Sequence, residues 1–442
     1  MRKSTFILIG LFINGIAAQE GAQSKLEGIS NTELTYADPS EVGLDSLYIH
    51  TKVDSIITNG IKQKAFPGAQ ILVAKNGKII FHQAYGFHTY DSIQPVSLDD
   101  MYDLASVTKI MGPLPAIMKL VDENKLDLDI AFSTYWKPWR HFKYKSNLTL
   151  RQILAHQAGL VPYIVFLNEV LKKNGRTKNR FVRKVQTPRF EKEAHPDLFV
   201  KTRFNHKMYR ILNRSHVSLE RKYKYSGLAF LIFPKLIEQL TGQSYQTYLT
   251  SNFYAPLGAT TLTYLPRLKN YSNKIVPTEV DTIFRHALTQ GWVHDENAAL
   301  MGGVSGNAGL FATATDLAKM MQLYLNYGAY GGRRYISEQT LNEFTRVQYP
   351  GNGNRRGLGF DKPELNNNEL SLKDAYPAPE TSPDSFGHSG FTGTFVWADP
   401  KNQLVYIFLS NRVNPTREHS NIYKLNIRSA VQQVFYQATI KD

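Results

Sequence analysis

The chain has 442 residues, 42% hydrophobic and 12% aromatic, enough to bury one large core or two moderate ones. It contains no cysteine, which excludes a disulfide framework, a thiolate nucleophile, a Cys-based metal site and a lipidated N-terminal Cys. The formal charge of +15 is concentrated: residues 172–224 carry 17 Lys and Arg against Glu191, Glu193, Asp197 and Glu220, and the remainder is close to neutral. That segment reads either as a solvated surface insertion or as a face for an anionic polymer such as a cell-wall polymer, lipopolysaccharide or acidic glycan.

Residues 1–18 read as a secretory signal: Arg2 and Lys3, an apolar run from Phe6 to Ile16, then small residues up to Ala18. The other reading is an uncleaved anchor. No later stretch is apolar enough to span a bilayer. The expectation is a bacterial protein, periplasmic or secreted, which disfavours a nucleic-acid partner. A polar leader, 19–43, follows.

Leu44, Leu47, Val53, Ile56 and Ile57 have helical spacing, with Gly60 as the expected stop. Residues 70–75 and 78–86 are β-rich runs around Asn76-Gly77, a hairpin signal. Ser106-Val107-Thr108-Lys109 opens an apolar helix to about Glu123, which Pro113 and Pro115 should kink or interrupt. Residues 148–160 read as a helix with Thr149 as N-cap and Gly159 as stop. The basic segment reads as mixed helix and loop. Tyr225-Ser226-Gly227 opens a helix from Leu228 to Leu240, closed by Gly242. A glycine-rich loop, 301–309, precedes a helix for which Thr313 and Asp316 predict a capping box and Gly328 the end. Residues 394–398 and 404–409 form a second hairpin, and a last helix is expected from Ser420 to Gln437.

The simplest closure is an α+β fold. Both chain ends join one antiparallel sheet (about 44–100 and 385–437) flanked by the terminal helices, with 101–384 as a mainly helical region carrying the basic insertion 172–224.

Three pieces could do chemistry. Ser106 and Lys109 are three residues apart, so they share a helix face one turn apart. An amine there can take the hydroxyl proton if it is neutral. Tyr225 is a second base if neighbouring ammonium groups hold a tyrosinate. The stretch Phe386-Gly387-His388-Ser389-Gly390-Phe391-Thr392-Gly393-Thr394 has glycines that admit close backbone approach. A backbone donor there, paired with the Ser106 N–H, would make an oxyanion hole. His294, Asp295 and Glu296 are consecutive and do not converge easily on one metal ion, so they read as a loop bordering the cleft. His156, near a helix C-terminus, is explained there by a cation or by a carbonyl hydrogen bond.

In this order, the three pieces resemble the serine β-lactamase and penicillin-binding-protein superfamily. The match is to its class C β-lactamase-like branch of esterases, D-aminopeptidases and D-Ala-D-Ala carboxypeptidases. The resemblance runs from about Leu44 to Phe435, with support from Leu148–Leu160 and Gly291–Ala298. It implies a β-lactamase/transpeptidase-like domain over 44–437, Ser106 as acylated nucleophile, Lys109 as its proton-accepting partner, and Tyr225 as the tyrosine of Y-x-N. His388 and Ser389 stand at the lysine and threonine of K-T-G, Gly390 matches, and the Phe391 N–H completes the oxyanion hole. No cofactor or metal is implied. Gly227 replaces the motif's asparagine, and His388 exchanges a fixed charge for a titratable one. Both departures disfavour efficient β-lactam hydrolysis. The implied function is an exported serine hydrolase forming an acyl-enzyme on an ester or amide of a small molecule, cell-wall peptide or glycan. The alternative is a penicillin-binding or sensor-like protein that acylates without turnover, or a weak β-lactamase.

Overall fold

Six strands carry the main sheet: β1 (Thr35–Tyr36), β2 (Gly68–Lys75), β3 (Lys78–Gly86), β4 (Phe386–Ser389), β5 (Phe395–Asp399) and β6 (Leu404–Ser410). The computed structural model describes residues 33–271 and 274–440, so the expected signal 1–18 and the leader as far as residue 32 lie outside the described residues. Strand order is β1-β3-β2-β6-β5-β4, and only the β1–β3 pair is parallel. Asn76 and Gly77 have φ of 53° and 75°, the positive values that a tight β2–β3 turn needs. The expected union of the two chain ends is observed: β6 pairs with β2 along its full length, Leu404 opposite Lys75 to Ser410 opposite Ala69.

The central strands are apolar on both faces, as burial on both sides requires. Leu404, Tyr406 and Phe408 of β6 pack with Ile49, Val53 and Ile57 of α1 (Ser46–Lys62) and with residues of the C-terminal helix, Ile427–Gln437. Val405, Ile407 and Leu409 face the opposite core. Alternation with period two thus divides one strand between two cores. Burying each such side chain is worth about 1.5–3 kcal/mol, which is why β6 lies at the centre. On the second face lies the helical region, including α2 (Pro113–Asp122), α3 (Leu150–Leu154), α4 (Phe204–Arg214), α5 (Phe233–Thr241) and α6 (Ala314–Leu325). The C-terminal helix is α7.

Several expected boundaries move, each for a local reason. α1 runs past Gly60 to Lys62; a Cβ on Gly60 would meet Ile427 Cδ1 at 2.8 Å, so that glycine serves close packing. The helix after Ser106 is interrupted, as the prolines led one to expect, into Thr108–Met111 and α2, divided at Gly112 with Pro113 at the tolerated first position of α2. α3 has its Thr149 capping box but ends at Leu154, and His156 and Gly159 beyond it have φ of 54° and 69°. Tyr225–Gly227 is irregular; a 3₁₀ turn, Ala229–Leu231, leads into α5. At α6, Thr313 accepts from Asp316 N–H, but the Asp316 carboxylate accepts from Thr261 instead of closing a capping box, and the helix ends at Leu325. The last helix is also split: Asn426 at φ 46° separates Asn421–Lys424 from α7.

The basic segment holds a three-stranded sheet (Val182–Arg183, Lys192–His195, Leu198–Val200) followed by α4, where mixed helix and loop was expected. α4 buries Phe204, Met208 and Leu212, spaced by four residues. Asn213 accepts from the indole N–H groups of Trp136 and Trp139 at 2.9 and 3.0 Å. The Lys145 ammonium caps the helix end by donating to the carbonyls of Leu212 and Asn213.

Candidate active site

The turn before Ser106 is held from two sides. Asp103 is buried and accepts from Ala105 N–H at 2.8 Å and His294 N–H at 2.6 Å. Burial raises its pKa above the usual carboxylate value despite those donors. Ala105 sits at φ 44°, a conformation that costs a residue with a Cβ about 1–3 kcal/mol unless its surroundings impose it. From the β4–β5 connection, the Thr392 and Thr394 hydroxyls donate to the carbonyls of Asp103 and Leu104 at 2.7 and 3.0 Å. A Cβ on Gly390 would lie 2.5 Å from the Leu104 carbonyl oxygen and 2.0 Å from Thr394 Oγ1. The glycine therefore sets how near this connection comes to Ser106.

Lys109 is 2% exposed, and its Nζ donates to Ser106 Oγ at 2.9 Å and to the Asn307 carbonyl at 3.2 Å. The Asn307 side chain is fixed by Asp295, to which it donates, and by Ser305, from which it accepts. The glycine-rich loop thus positions the ammonium. Lys109 Nζ also lies 5.3 Å from the Tyr225 ring centre and 5.5 Å from that of Phe230.

The Tyr225 hydroxyl is buried and makes no fully formed hydrogen bond among the described residues. Burial pushes its pKa up, but the positive charges of Lys109 and Arg356, with Ser106 close by, outweigh that and hold the phenol below its ordinary value. Its ring lies 4.5 Å from that of His156 and 6.0 Å from that of His388. His156 is therefore part of the site, which its position after α3 did not reveal. Its Nδ1 accepts from Ser226 N–H at 3.2 Å. Burial, then Arg356, Lys109 and His388, keeps it well below the ordinary histidine value.

His388 is 3% exposed. Its Nδ1 lies 2.7 Å from the Ser389 carbonyl and its Nε2 3.3 Å from Arg356 Nη2. A carbonyl only accepts and a guanidinium only donates, so the ring is the neutral tautomer with its proton on Nδ1. Burial, reinforced by Arg356 and Lys109, lowers its pKa to about 3. Arg356 is 2% exposed and pairs with Asp361 at 3.0 Å. Neither Arg356 nor Asp361 was read from the sequence, since they lie in an irregular stretch with no motif or periodicity.

Phe391 is 48% exposed and packs beside the His294 ring and the Arg412 guanidinium. The backbone N–H groups of Ser106 and Phe391 have no protein acceptor among the described residues. Donors left free in this way can receive a substrate oxygen. In the 294–296 triplet, His294 meets Glu279 at 2.7 Å, Asp295 caps Glu296–Leu300, and Glu296 pairs with Arg417, which also pairs with Glu279. Gly227 faces open space, with nothing within 4 Å of a Cβ built there. Among the described residues no helix is long and apolar enough to cross a membrane.

The open sheet between helical layers and the serine–lysine pair beneath it are those of a β-lactamase/transpeptidase-like serine hydrolase. The chain belongs to the Beta-lactamase family, whose profile matches residues 53–428. It is 30% identical over 405 residues to a protein of Salmonella gallinarum described as "Putative D-alanyl-D-alanine carboxypeptidase", the match covering 86% of each chain. A relative of the same description in Salmonella typhimurium matches to the same extent. Among solved structures it is similar in fold to EstCE1, "a hydrolase with promiscuous acyltransferase activity" (TM-score 0.61, 17% identity, 87% of this chain and 98% of that one). It is likewise similar to a family VIII carboxylesterase (TM-score 0.60, 19% identity, 87% and 97%).

Proposed function

We infer that this chain is an exported serine hydrolase that cleaves an ester or amide through an acyl-enzyme on Ser106. The observation that carries the reading is the 2.9 Å contact between Lys109 Nζ and Ser106 Oγ, beside a phenol whose pKa is lowered. In the first step Ser106 Oγ bonds to the substrate carbonyl carbon and its proton passes to Tyr225, with Lys109 as the adjacent cation. The oxyanion rests on the N–H groups of Ser106 and Phe391. Tyr225 then returns the proton to the leaving alcohol or amine as the carbon–heteroatom bond breaks. In the second step water attacks the acyl-serine, and its proton follows the same route, releasing a carboxylic acid and free Ser106. Ser389 orients the substrate, with His388 behind it, since the Ser389 carbonyl and Arg356 take up both of its ring nitrogens.

The substrates proposed are carboxylic esters and D-amino-acid peptides of the cell wall, consistent with the descriptions of the relatives. Exposed cations of the basic segment are proposed to draw in an anionic wall polymer or glycan. Ser106→Ala should lower hydrolysis of a panel of p-nitrophenyl esters and D-Ala-D-Ala peptides by about ten thousand-fold or more. Unchanged turnover of the panel sinks the proposal. An acylating protein without turnover would instead show a stable Ser106 adduct with fluorophosphonate or penicillin and no multiple turnover of any ester or peptide.

A further inference from the structure

The family motif has a lysine where this chain has His388, and the structure makes His388 neutral. The cleft wall on that side still contains a permanent charge, brought from 32 residues upstream in sequence. The Arg356 guanidinium lies 5.4 Å from the Tyr225 ring centre, with Nη2 3.3 Å from His388 Nε2 and Nη1 3.0 Å from Asp361 Oδ1. It is buried behind both rings and has no surface with which to hold substrate. We propose that Arg356 is the positioning residue of this site: it supplies the fixed positive charge that favours the ionised form of Tyr225 and keeps His388 as a neutral hydrogen-bond acceptor. This rests on the acyl-enzyme reading above.

Other charged and titratable groups surround the pair. Lys109 approaches Tyr225 from the Ser106 side. His156 packs on the Tyr225 ring with its Nε2 3.5 Å from Arg356 Nη2, and burial with the neighbouring cations holds it well below the ordinary histidine value. Tyr223 and Tyr376 lie near Arg356. Asp361 is the counter-ion, and it is shared, because Arg355 also donates to the same oxygen at 3.1 Å. Arg355 further pairs with the half-exposed Glu364. Two guanidiniums thus meet two carboxylates, but of the four groups it is Arg356 that lies against the Tyr225 ring, 5.4 Å from its centre. Protonating His388 would set N–H against N–H at Arg356 and two cations in contact, so the geometry itself selects the neutral ring.

The test is the pH dependence of Ser106 labelling by a fluorophosphonate and of ester turnover, in the wild type and in Arg356→Lys, Arg356→Gln and Arg356→Gln/Asp361→Asn. The double variant avoids leaving the buried Asp361 without its partner. Without the guanidinium, the ionisation that switches on acylation should move up by about one pH unit or more, a loss of about tenfold near neutral pH for each unit. KM should change less than about twofold, and Arg356→Lys should restore at least half of the shift. A folded Arg356→Gln with an unmoved pH profile, or a loss confined to KM, overturns the proposal. If the glutamine variants do not fold, imidazole nitrogen NMR on the wild type decides: His388 must stay neutral with its proton on Nδ1 down to pH 5, and titration above that pH overturns it. Ser106→Ala separates the two levels. An active Ser106→Ala enzyme defeats the acyl-enzyme reading and this inference with it, whereas an inactive one beside a normal Arg356→Gln profile defeats this inference alone.

Discussion

Ser106 and Lys109 would be an unremarkable helix start in isolation; their surroundings give them chemistry. The Lys109 ammonium is used twice, on Ser106 Oγ and on the Asn307 carbonyl. Tyr225 is caught between burial and two cations, and the cations win. Gly227 shows the reverse case, a motif residue absent without any steric need. Because a Cβ there meets nothing within 4 Å, Gly227→Asn should fold with stability within about 0.5 kcal/mol of wild type, the range of an ordinary surface change. It should alter amide and β-lactam acylation more than ester turnover, since it restores an amide side chain at the cleft. Thermal unfolding and a comparison of nitrocefin with a p-nitrophenyl ester check this; an unfolded variant would contradict the open space described.

At the scale of elements, the site is a junction between two pieces of chain almost 300 residues apart. The Ser106 turn and the β4–β5 connection are joined by the Thr392 and Thr394 hydroxyls and by the close approach at Gly390. Gly390→Ala should therefore wedge them apart. Overpacking of this kind costs about 1–3 kcal/mol, and the Phe391 N–H would move away from the reacting carbonyl. The expected result is a lower unfolding midpoint with at least a hundredfold fall in kcat, in keeping with the loss of one oxyanion donor. Retention of full kcat would show that the connection does not set the oxyanion position. The glycine-rich loop acts in the same way on Lys109, through Asn307 and Asp295.

Across the whole molecule, charge is distributed unevenly on purpose-built elements. The insertion is anchored by Asn213, Trp136, Trp139 and Lys145, and its strand Lys192–His195 packs beside the 285–302 stretch: Arg285 donates to the Ala194 carbonyl, and a cavity of about 450 Å³ lies between Lys192, Trp292 and Gly302. Lys207 and Lys222 have ion-pair partners. The exposed Arg176, Arg180 and Arg183 have none among the described residues. Lys178 is different, since it donates to the carbonyls of Asn168 and Glu169 and helps hold the fold. Reversing Arg176, Arg180 and Arg183 to Glu should leave small-ester turnover unchanged. Binding to peptidoglycan or an acidic glycan should weaken at low salt, with the difference shrinking as salt rises above about 0.15 M. Equal binding at low salt would leave the segment as a solvated surface.

The order and spacing of the motifs and the two hairpins were legible in the chain itself, because each depends on residues within one turn or one strand of each other. So were Ser106, Lys109, Tyr225 and His388 as a group, through their resemblance to a family pattern. Helix ends were less legible where packing overrode the local signal: Gly60 is a contact and not a stop, and Asn426 breaks a helix whose pattern runs on. The charge of the site was legible only in part: cations beside Tyr225 were expected, but Arg356 as one of them was not. Whether His388 is a cation depends on its burial and on Arg356, and whether His156 is a bystander depends on Tyr225 beside it. Electrostatic energy follows distance through a low-dielectric interior and not separation along the chain. Sequence alone therefore named the candidate groups, and the tertiary structure set the charges that surround them.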